Sequence, residues 1–222
     1  MILPYLMVRL WYRFRYLPLR IKSRLNGEIY FDKYEMGGAY HWGYYYEKAD
    51  PFYTECVDTL CDLVRHNSRV LDIGCGDGLI ANVLTEKNGC KVVGIDVHPL
   101  AVSFARKKNR NANEFYVKSV YDIDYQGVFD VIVAFEIFEH LRRPEVLLRK
   151  AIEALKETGT LLISTPLSNE KKPPSRHHVR EYTKEEFLGY INELFQVLDD
   201  RVVRRPDGKS DCYICLCTRR QS

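Results

Sequence analysis

Two short stretches hold residue types that could do chemistry. The first is Val70-Leu-Asp-Ile-Gly-Cys-Gly-Asp-Gly78, an apolar run ending in three glycines at alternate positions. A backbone without Cβ can turn tightly there and let a ligand come close. The spacing is G-x-G-x-G, not the G-x-G-x-x-G of a dinucleotide fingerprint. Asp72 sharpens the difference. A carboxylate just ahead of the turn repels a pyrophosphate, whereas it can accept a charge-assisted hydrogen bond from the amino group of an amino-acid moiety. Asp96 stands 18 positions beyond Gly78, where an acid at a strand end can accept both hydroxyls of a ribose.

The second stretch, Glu136-Ile-Phe-Glu-His140, brings two carboxylates and an imidazole within five residues, and His178 follows in a later loop. His140 and Glu136 are the candidate catalytic pair, His140 as general base. Glu136, Glu139, His140 and His178 together offer oxygen and nitrogen donors for a divalent cation. The competing reading has Glu139 and His140 cap and hydrogen-bond the loop before Pro144. Tyr40, His41 and Trp42 are the candidate lid over a substrate, with Ser175 to Tyr182, His178 included, as the opposite wall. The aromatic cluster Gly37 to Tyr46 reads equally well as a packing plug.

These residues must be positioned by alternating strands and helices. Asp50-Pro51 reads as cap and first turn of a helix, in which Phe52, Cys56, Leu60, Leu63 and Val64 recur at helical spacing. Strands are expected at Arg69–Ile73, Lys91–Asp96, Glu114–Lys118, Asp130–Phe135 and Thr160–Thr165. Between them, helices are expected from Leu79 to Lys87, Pro99 to Asn109 and Pro144 to Glu157, the last stopped by Gly159. Thr183 with Glu186 forms a capping box. Phe195 to Val203 and Asp211 to Thr218 form a hairpin turning at Asp207-Gly208. The pattern predicts a doubly wound, mostly parallel seven-stranded α/β sheet of Rossmann-like type with an antiparallel C-terminal hairpin.

A chain of 222 residues, 46% hydrophobic, suits one large core. Its charge is segregated: Arg9, Arg13, Arg15, Arg20, Lys22 and Arg24 all precede the first acid, Glu28. The rest carries 27 basic against 30 acidic residues, which gives no general affinity for nucleic acid. The leading segment, Met1 to about Leu25, mixes those cations with Tyr5, Trp11, Tyr12, Phe14 and Tyr16. It reads either as a helix packed on the domain or as a peripheral contact with an anionic membrane surface. The expected organisation is a basic, aromatic segment and lid over 1–49 and a catalytic domain over 50–222. Seven cysteines without a paired zinc spacing fit buried thiols in a reducing cytoplasm, with Cys215 and Cys217 on one face of a strand and Cys212 on the other.

VLDIGCGDG, VVGIDVHP, FDVIVAFEIFEHL and GTLLISTP resemble the successive motifs of class I S-adenosylmethionine-dependent methyltransferases, of the type 11/23 kind, from about Asp50 to the C-terminus. The resemblance implies S-adenosylmethionine as cofactor, held by Asp72, Gly74, Cys75, Gly76, Gly78, Asp96, Val97, Ser119 and Val120. In that scheme the Gly74 to Gly78 loop wraps the methionine part, Asp96 holds the ribose and Val97 flanks the adenine. Ser119-Val120 stands where many relatives carry an acid, which implies a weaker hydrogen bond to the adenine amino group. E-x-x-E-H with a later histidine is similar to the metal site of small-RNA 2′-O-methyltransferases and of quinone-ring O-methyltransferases, so a divalent metal is the less favoured addition. The expected reaction is O-methylation of a small-molecule, glycan or lipid-linked acceptor. The alternatives are a metal-assisted RNA 2′-O-methyltransferase and a non-catalytic cofactor-binding scaffold.

Overall fold

The computed structural model describes residues 7, 10, 11, 14–26, 33–168, 175, 177–208 and 210–220, except for the side chains of 19, 22–24, 26 and 36. Much of Met1 to Leu25, and Arg176 of the expected wall, therefore lie outside the described residues. After two short helices, α1 (Leu17–Asn26) and α2 (Lys33–Gly37), a tight helical segment from Tyr40 to Glu47 leads into α3 (Pro51–Leu63). Then follow β1 (Arg69–Ile73), α4 (Leu79–Asn88), β2 (Lys91–Asp96), α5 (Pro99–Lys108), β3 (Glu114–Val117), β4 (Phe129–Ala134) and α6 (Pro144–Ala154). The chain ends with β5 (Leu155–Pro166), α7 (Lys184–Ile191), β6 (Phe195–Val203) and β7 (Cys212–Arg219).

The seven strands lie in the order β3-β2-β1-β4-β5-β7-β6. The first five are parallel, and β7 runs antiparallel to both β5 and β6. This is the expected doubly wound sheet, and strand order reverses between β1 and β4. A crevice forms beyond the carboxyl ends of strands at such a point.

Alternation along each strand feeds two separate cores. Leu71 and Ile73, Ile132 and Ala134, and Tyr213, Cys215 and Cys217 join α6 and α7 on one face. Val70, Val131 and Val133, and Cys212 and Ile214 join α3, α4 and α5 on the other. Apolar faces on both sides explain why Val131–Ala134 of β4 reads as an unbroken hydrophobic run, whereas Asp72 interrupts the run in β1. All seven cysteines are buried free thiols.

Caps hold where expected. The Asp50 carboxylate accepts the Tyr53 amide at 2.9 Å, and Thr183 and Glu186 complete a reciprocal capping box. Gly89 closes α4 in the left-handed conformation.

One boundary differs. The helix after Pro144 stops at Ala154, three residues short of Glu157, and β5 begins at Leu155. Leu155 pairs with Phe129, whereas Val131 pairs with Thr160, so the intervening residues bulge from the β4 ladder. Gly159 is no helix stop: a Cβ there would meet the Phe129 carbonyl oxygen at 3.1 Å and the Lys156 carbonyl oxygen at 3.0 Å. The glycine allows the bulged chain to approach the strand.

Candidate active site

At the carboxyl ends of β1, β2, β4 and β5 opens a cavity of about 740 Å³, a size suited to small-molecule binding. Its first half is the glycine turn. Gly74, Gly76 and Gly78 all adopt positive φ. The Gly74 and Cys75 amides both donate to the Ile95 carbonyl, at 2.8 and 3.0 Å, so the turn is anchored to β2. A Cβ on Gly78 would lie 2.8 Å from Ala105 Cβ and 2.6 Å from Asn109 Nδ2. Gly78 thus sets the approach of α4 to α5 and does not line the cavity, unlike Gly74, Cys75 and Gly76.

Asp96 Oδ2 accepts the Gly76 amide at 2.9 Å, and Oδ1 accepts the His98 amide at 2.7 Å. The Asp96 carboxyl is pushed up to about 6 by burial, partly offset by these two amides. Each oxygen keeps further acceptor capacity for a hydroxyl. Asp72 is more extreme. It is 2% exposed, its Oδ2 has no hydrogen-bond partner, and burial, followed by the charge of Asp96, pushes it up to about 8. A buried, unsatisfied carboxylate oxygen lining a cavity suits a cationic amino group.

Val97 and Val120 also line the cavity. Ser119 does not: its hydroxyl accepts the Tyr121 amide at 3.1 Å and caps the 3₁₀ turn Val120–Asp122. Ser119 thus has a local capping role in this fold.

The aromatic segment divides into lining and support. Tyr40 and His41 line the cavity. Trp42 faces away from it: its Nε1–H donates to the Asp77 carbonyl at 2.9 Å, its ring stacks on Tyr46, and it packs on the α3–α4–α5 core. The substrate role expected of Trp42 is thus corrected to support of the loop. Asp77, inside the glycine turn, was not singled out from sequence. It accepts the His41 amide at 3.0 Å and faces His41 Nδ1 at 3.2 Å, tying the aromatic segment to the turn. Tyr34 of α2 was also missed. Its hydroxyl would lie 2.2 Å from a Cβ on Gly76, so the phenol covers the space left by that glycine.

The second half of the cavity follows β4 and β5. Glu136 has φ 51°, in the left-handed region, which turns the chain sharply off β4. Its amide donates to Ser164 Oγ at 2.9 Å, and Oε1 accepts the Ser164 hydroxyl at 3.0 Å and the Cys212 thiol at 3.4 Å. Burial pushes the Glu136 carboxyl up to about 7. Three elements therefore fix Glu136 as a cavity-lining carboxyl.

Glu139, His140 and His178 come together, each offering a donor atom within 4.8 Å of the others. Glu136 is not among them, which removes it from the expected metal set. The convergence has a backbone cause: the Val179 and Arg180 amides donate to the Glu139 carbonyl at 2.8 and 3.4 Å, stitching the β5–α7 loop onto the β4 loop. His140 Nδ1 lies 2.7 Å from the His177 carbonyl oxygen, which can only accept, so Nδ1 carries the proton and Nε2 the lone pair. Nε2 faces Glu139 Oε1 at 3.6 Å. His178 Nδ1 donates to Glu181 Oε1 at 2.7 Å, so its Nε2 is likewise the remaining donor atom. Burial holds the His140 imidazole down to about 4, and it is neutral at ordinary pH. Burial, with Glu136 adding to it, raises Glu139 well above the carboxylate range, and Glu139 Oε2 has no hydrogen-bond partner. Two imidazoles oriented by an outer carbonyl and an outer carboxylate, beside an unsatisfied carboxyl oxygen, fit a divalent cation.

A family model described as a methyltransferase domain matches residues 43–201. The ubiquinone biosynthesis O-methyltransferase of Xanthomonas campestris is 35% identical over 103 residues, 44% of this chain and 43% of that protein. The match thus spans less than half the length of that relative. Among solved structures, the 1,6-didemethyltoxoflavin-N1-methyltransferase of Burkholderia thailandensis, with bound 1,6-didemethyltoxoflavin and S-adenosylhomocysteine, superposes with TM-score 0.64 at 20% identity, covering 81% of this chain and 84% of that one. The [4+2]-cyclase SpnF superposes equally well, at TM-score 0.65 and 16% identity over 77% of this chain and 82% of that one. Likeness at these identities shows the fold alone, and chemistry must be argued from the site.

Proposed function

The chain belongs to the class I S-adenosylmethionine-dependent methyltransferase family, and from that premise we propose that it methylates an oxygen of a small-molecule, glycan or lipid-linked acceptor. The carrying observation is the two-ended cavity, with Asp72, Asp96 and the glycine turn at one end and Glu136, Glu139, His140 and His178 at the other. Asp72 would hold the amino group of S-adenosylmethionine, Asp96 its ribose, and Val97 and Val120 its adenine. The cofactor supplies an electrophilic methyl on a sulfonium. The chain's own part is to hold the acceptor in line and take its proton, and positioning contributes much of such an acceleration.

His140 suits the proton's path, because it lines the cavity and its Nδ1 is committed to the His177 carbonyl, which leaves the lone pair on Nε2. A hydroxyl bound there can pass its proton to Nε2, giving an imidazolium that Glu139, once ionised, stabilises. If a divalent cation occupies Glu139, His140 and His178, those residues act as ligands instead, and the cation supplies acidity to the acceptor hydroxyl. The same cluster supports a second reading, a metal-assisted RNA 2′-O-methyltransferase. Mapped charge opposes it, since the basic excess lies before Glu28, and a steep salt dependence of RNA binding would favour it. A scaffold without turnover would retain the Asp72 end and have no use for the second. We also propose that residues 1–49 form a leading segment and lid on a transferase domain over 50–222, and that residues 1–25 touch a membrane surface. Among the described residues no helix is long and apolar enough to cross a membrane.

The test is incubation with isotopically methyl-labelled cofactor and fractionated small-molecule, glycan and lipid extracts. Label in an alkali-stable ether of one fraction is the expected result. Label confined to RNA would install the second reading, and cofactor binding without any labelled product would favour the scaffold.

A further inference from the structure

The leading segment carries apolar residues in a repeating order. Met7, Leu10, Trp11 and Phe14 stand at three- and four-residue spacings in the sequence, and Leu17, Ile21 and Leu25 recur at four-residue steps along α1. All seven are exposed, Phe14 at 72% and Leu25 at 81%. Exposed single apolar residues need no explanation, but a row of this length on one short segment does. Cations accompany it: six precede the first acid, and the Arg15 guanidinium lies 4.9 Å over the Trp11 ring.

The opposite relations of the same segment run to the cofactor end of the cavity. Arg20 Nη2 reaches both Glu35 oxygens, at 2.7 and 2.8 Å, linking α1 to α2. The Tyr16 ring lies 5.9 Å from His98, which in turn meets Tyr34 edge-on at 5.4 Å. Tyr34 and His98 line the cavity, and Tyr34 is the residue over Gly76.

We propose that the exposed apolar row of residues 7–25 lies in the interface of an anionic bilayer, and that this docking steadies Tyr34 over the cofactor loop. The proposal rests on the membrane contact proposed for residues 1–25 and names the face that makes it and what it controls. Charge selects the occupant. A second copy would set one cationic segment against another, whereas anionic headgroups complement the arginines while the apolar row enters the acyl boundary. A short helix gains order on such a surface, and the Arg20–Glu35 pair carries that order to α2.

Full-length protein is sedimented with phosphatidylcholine vesicles with and without phosphatidylserine, at low and high salt, and S-adenosylhomocysteine affinity is measured with each. Binding is expected only to the anionic vesicles, falling with salt. Phe14→Asp with Leu25→Asp should weaken partition at least tenfold while leaving S-adenosylhomocysteine binding without vesicles unchanged, since both positions are exposed. Anionic vesicles should raise the affinity of the parent protein for S-adenosylhomocysteine severalfold. Glu35→Ala, which removes no cation, should still sediment but lose that enhancement. The proposal is overturned if the double variant sediments as the parent does, if the parent ignores anionic vesicles, if the enhancement survives Glu35→Ala, or if the parent is a dimer that the double variant dissociates. Absence of S-adenosylhomocysteine binding under every condition would sink the proposed function instead, while sedimentation would still read the docking.

Discussion

Asp96 Oδ2 accepts the amide of Gly76 at 2.9 Å, so the carboxylate at the end of β2 and the turn at the end of β1 form one unit. The turn keeps its left-handed Gly76 in place partly because a carboxylate on the neighbouring strand satisfies that amide. Any ligand that contacts Asp96 is thereby registered against the glycine loop.

Replacing Asp96 by Ala should cost both functions of that carboxylate. Loss of hydrogen bonds to a charged group weakens binding by about 1.5–3 kcal/mol, and the Gly76 and His98 amides lose their acceptors together. Isothermal titration with S-adenosylhomocysteine should show affinity reduced by more than tenfold. Unchanged affinity would remove Asp96 from the cofactor site.

Asp72 makes a pH prediction. Its carboxyl stands at about 8 in the unliganded fold, against about 3.9 in an unfolded chain. Between those values the folded state binds more protons than the unfolded one, so its contribution is fully present below about 4 and is lost as pH rises towards 8. Asp72→Asn should flatten the fall in urea midpoint between pH 5 and 8.5. The same substitution should weaken S-adenosylhomocysteine binding and abolish the rise in affinity expected from pH 6 to 8 as Asp72 ionises. A variant that binds like the parent at pH 8 would exclude the amino-group contact.

Gly78→Ala should act on the fold before the ligand. Its φ of 78° and the 2.8 Å approach to Ala105 Cβ combine backbone strain with overpacking between α4 and α5. Together these cost about 2–4 kcal/mol. Chemical denaturation should show a loss of that size, and a loss under about 1 kcal/mol would mean that the helices separate easily.

How much was legible depended on the range of the signal. Two-sided apolar runs and glycine turns are local, so the mostly parallel sheet and the glycine turn could be anticipated from stretches such as Val70 to Gly78 and Lys91 to Asp96. The end of α6 could not, because its stop lies in the pairing of Leu155 with Phe129, across the sheet, and Gly159 offered a misleading local reason. Ser119 came from the resemblance and Trp42 from its place in the aromatic cluster, whereas in the fold the Ser119 hydroxyl accepts the Tyr121 amide and the Trp42 indole donates to the Asp77 carbonyl. The signal for Asp77 was present between two loop glycines. Tyr34 had none, since its meeting with Gly76 spans 42 positions. The closeness of His178 to Glu139 depends on two loop amides that no sequence pattern announces.

The cluster of Glu139, His140 and His178 can be tested before an acceptor is known. Divalent cations require an ionised carboxylate and neutral imidazoles. His140 is already neutral above about pH 4, so its protonation does not set the lower pH limit at physiological values. Burial raises Glu139 well above the usual carboxylate range, whereas a bound cation requires its ionised form. Calorimetry with magnesium, manganese or zinc should therefore detect binding accompanied by proton release, seen as a dependence of the apparent enthalpy on the buffer. Glu139→Gln should remove both the binding and the proton release while leaving S-adenosylhomocysteine affinity within about twofold, because the residue stands at the other end of the cavity. Burial pushes the Glu136 carboxyl up to about 7, so a reaction that uses its ionised carboxylate to orient the acceptor should lose activity as pH drops through that value, and Glu136→Gln should shift that limb. Chelation should abolish turnover if a cation is required. Full activity in chelator, with no metal in the purified protein and no calorimetric binding, would assign proton removal to His140 alone, and His140→Gln should then lower kcat by about a hundredfold or more with cofactor affinity preserved.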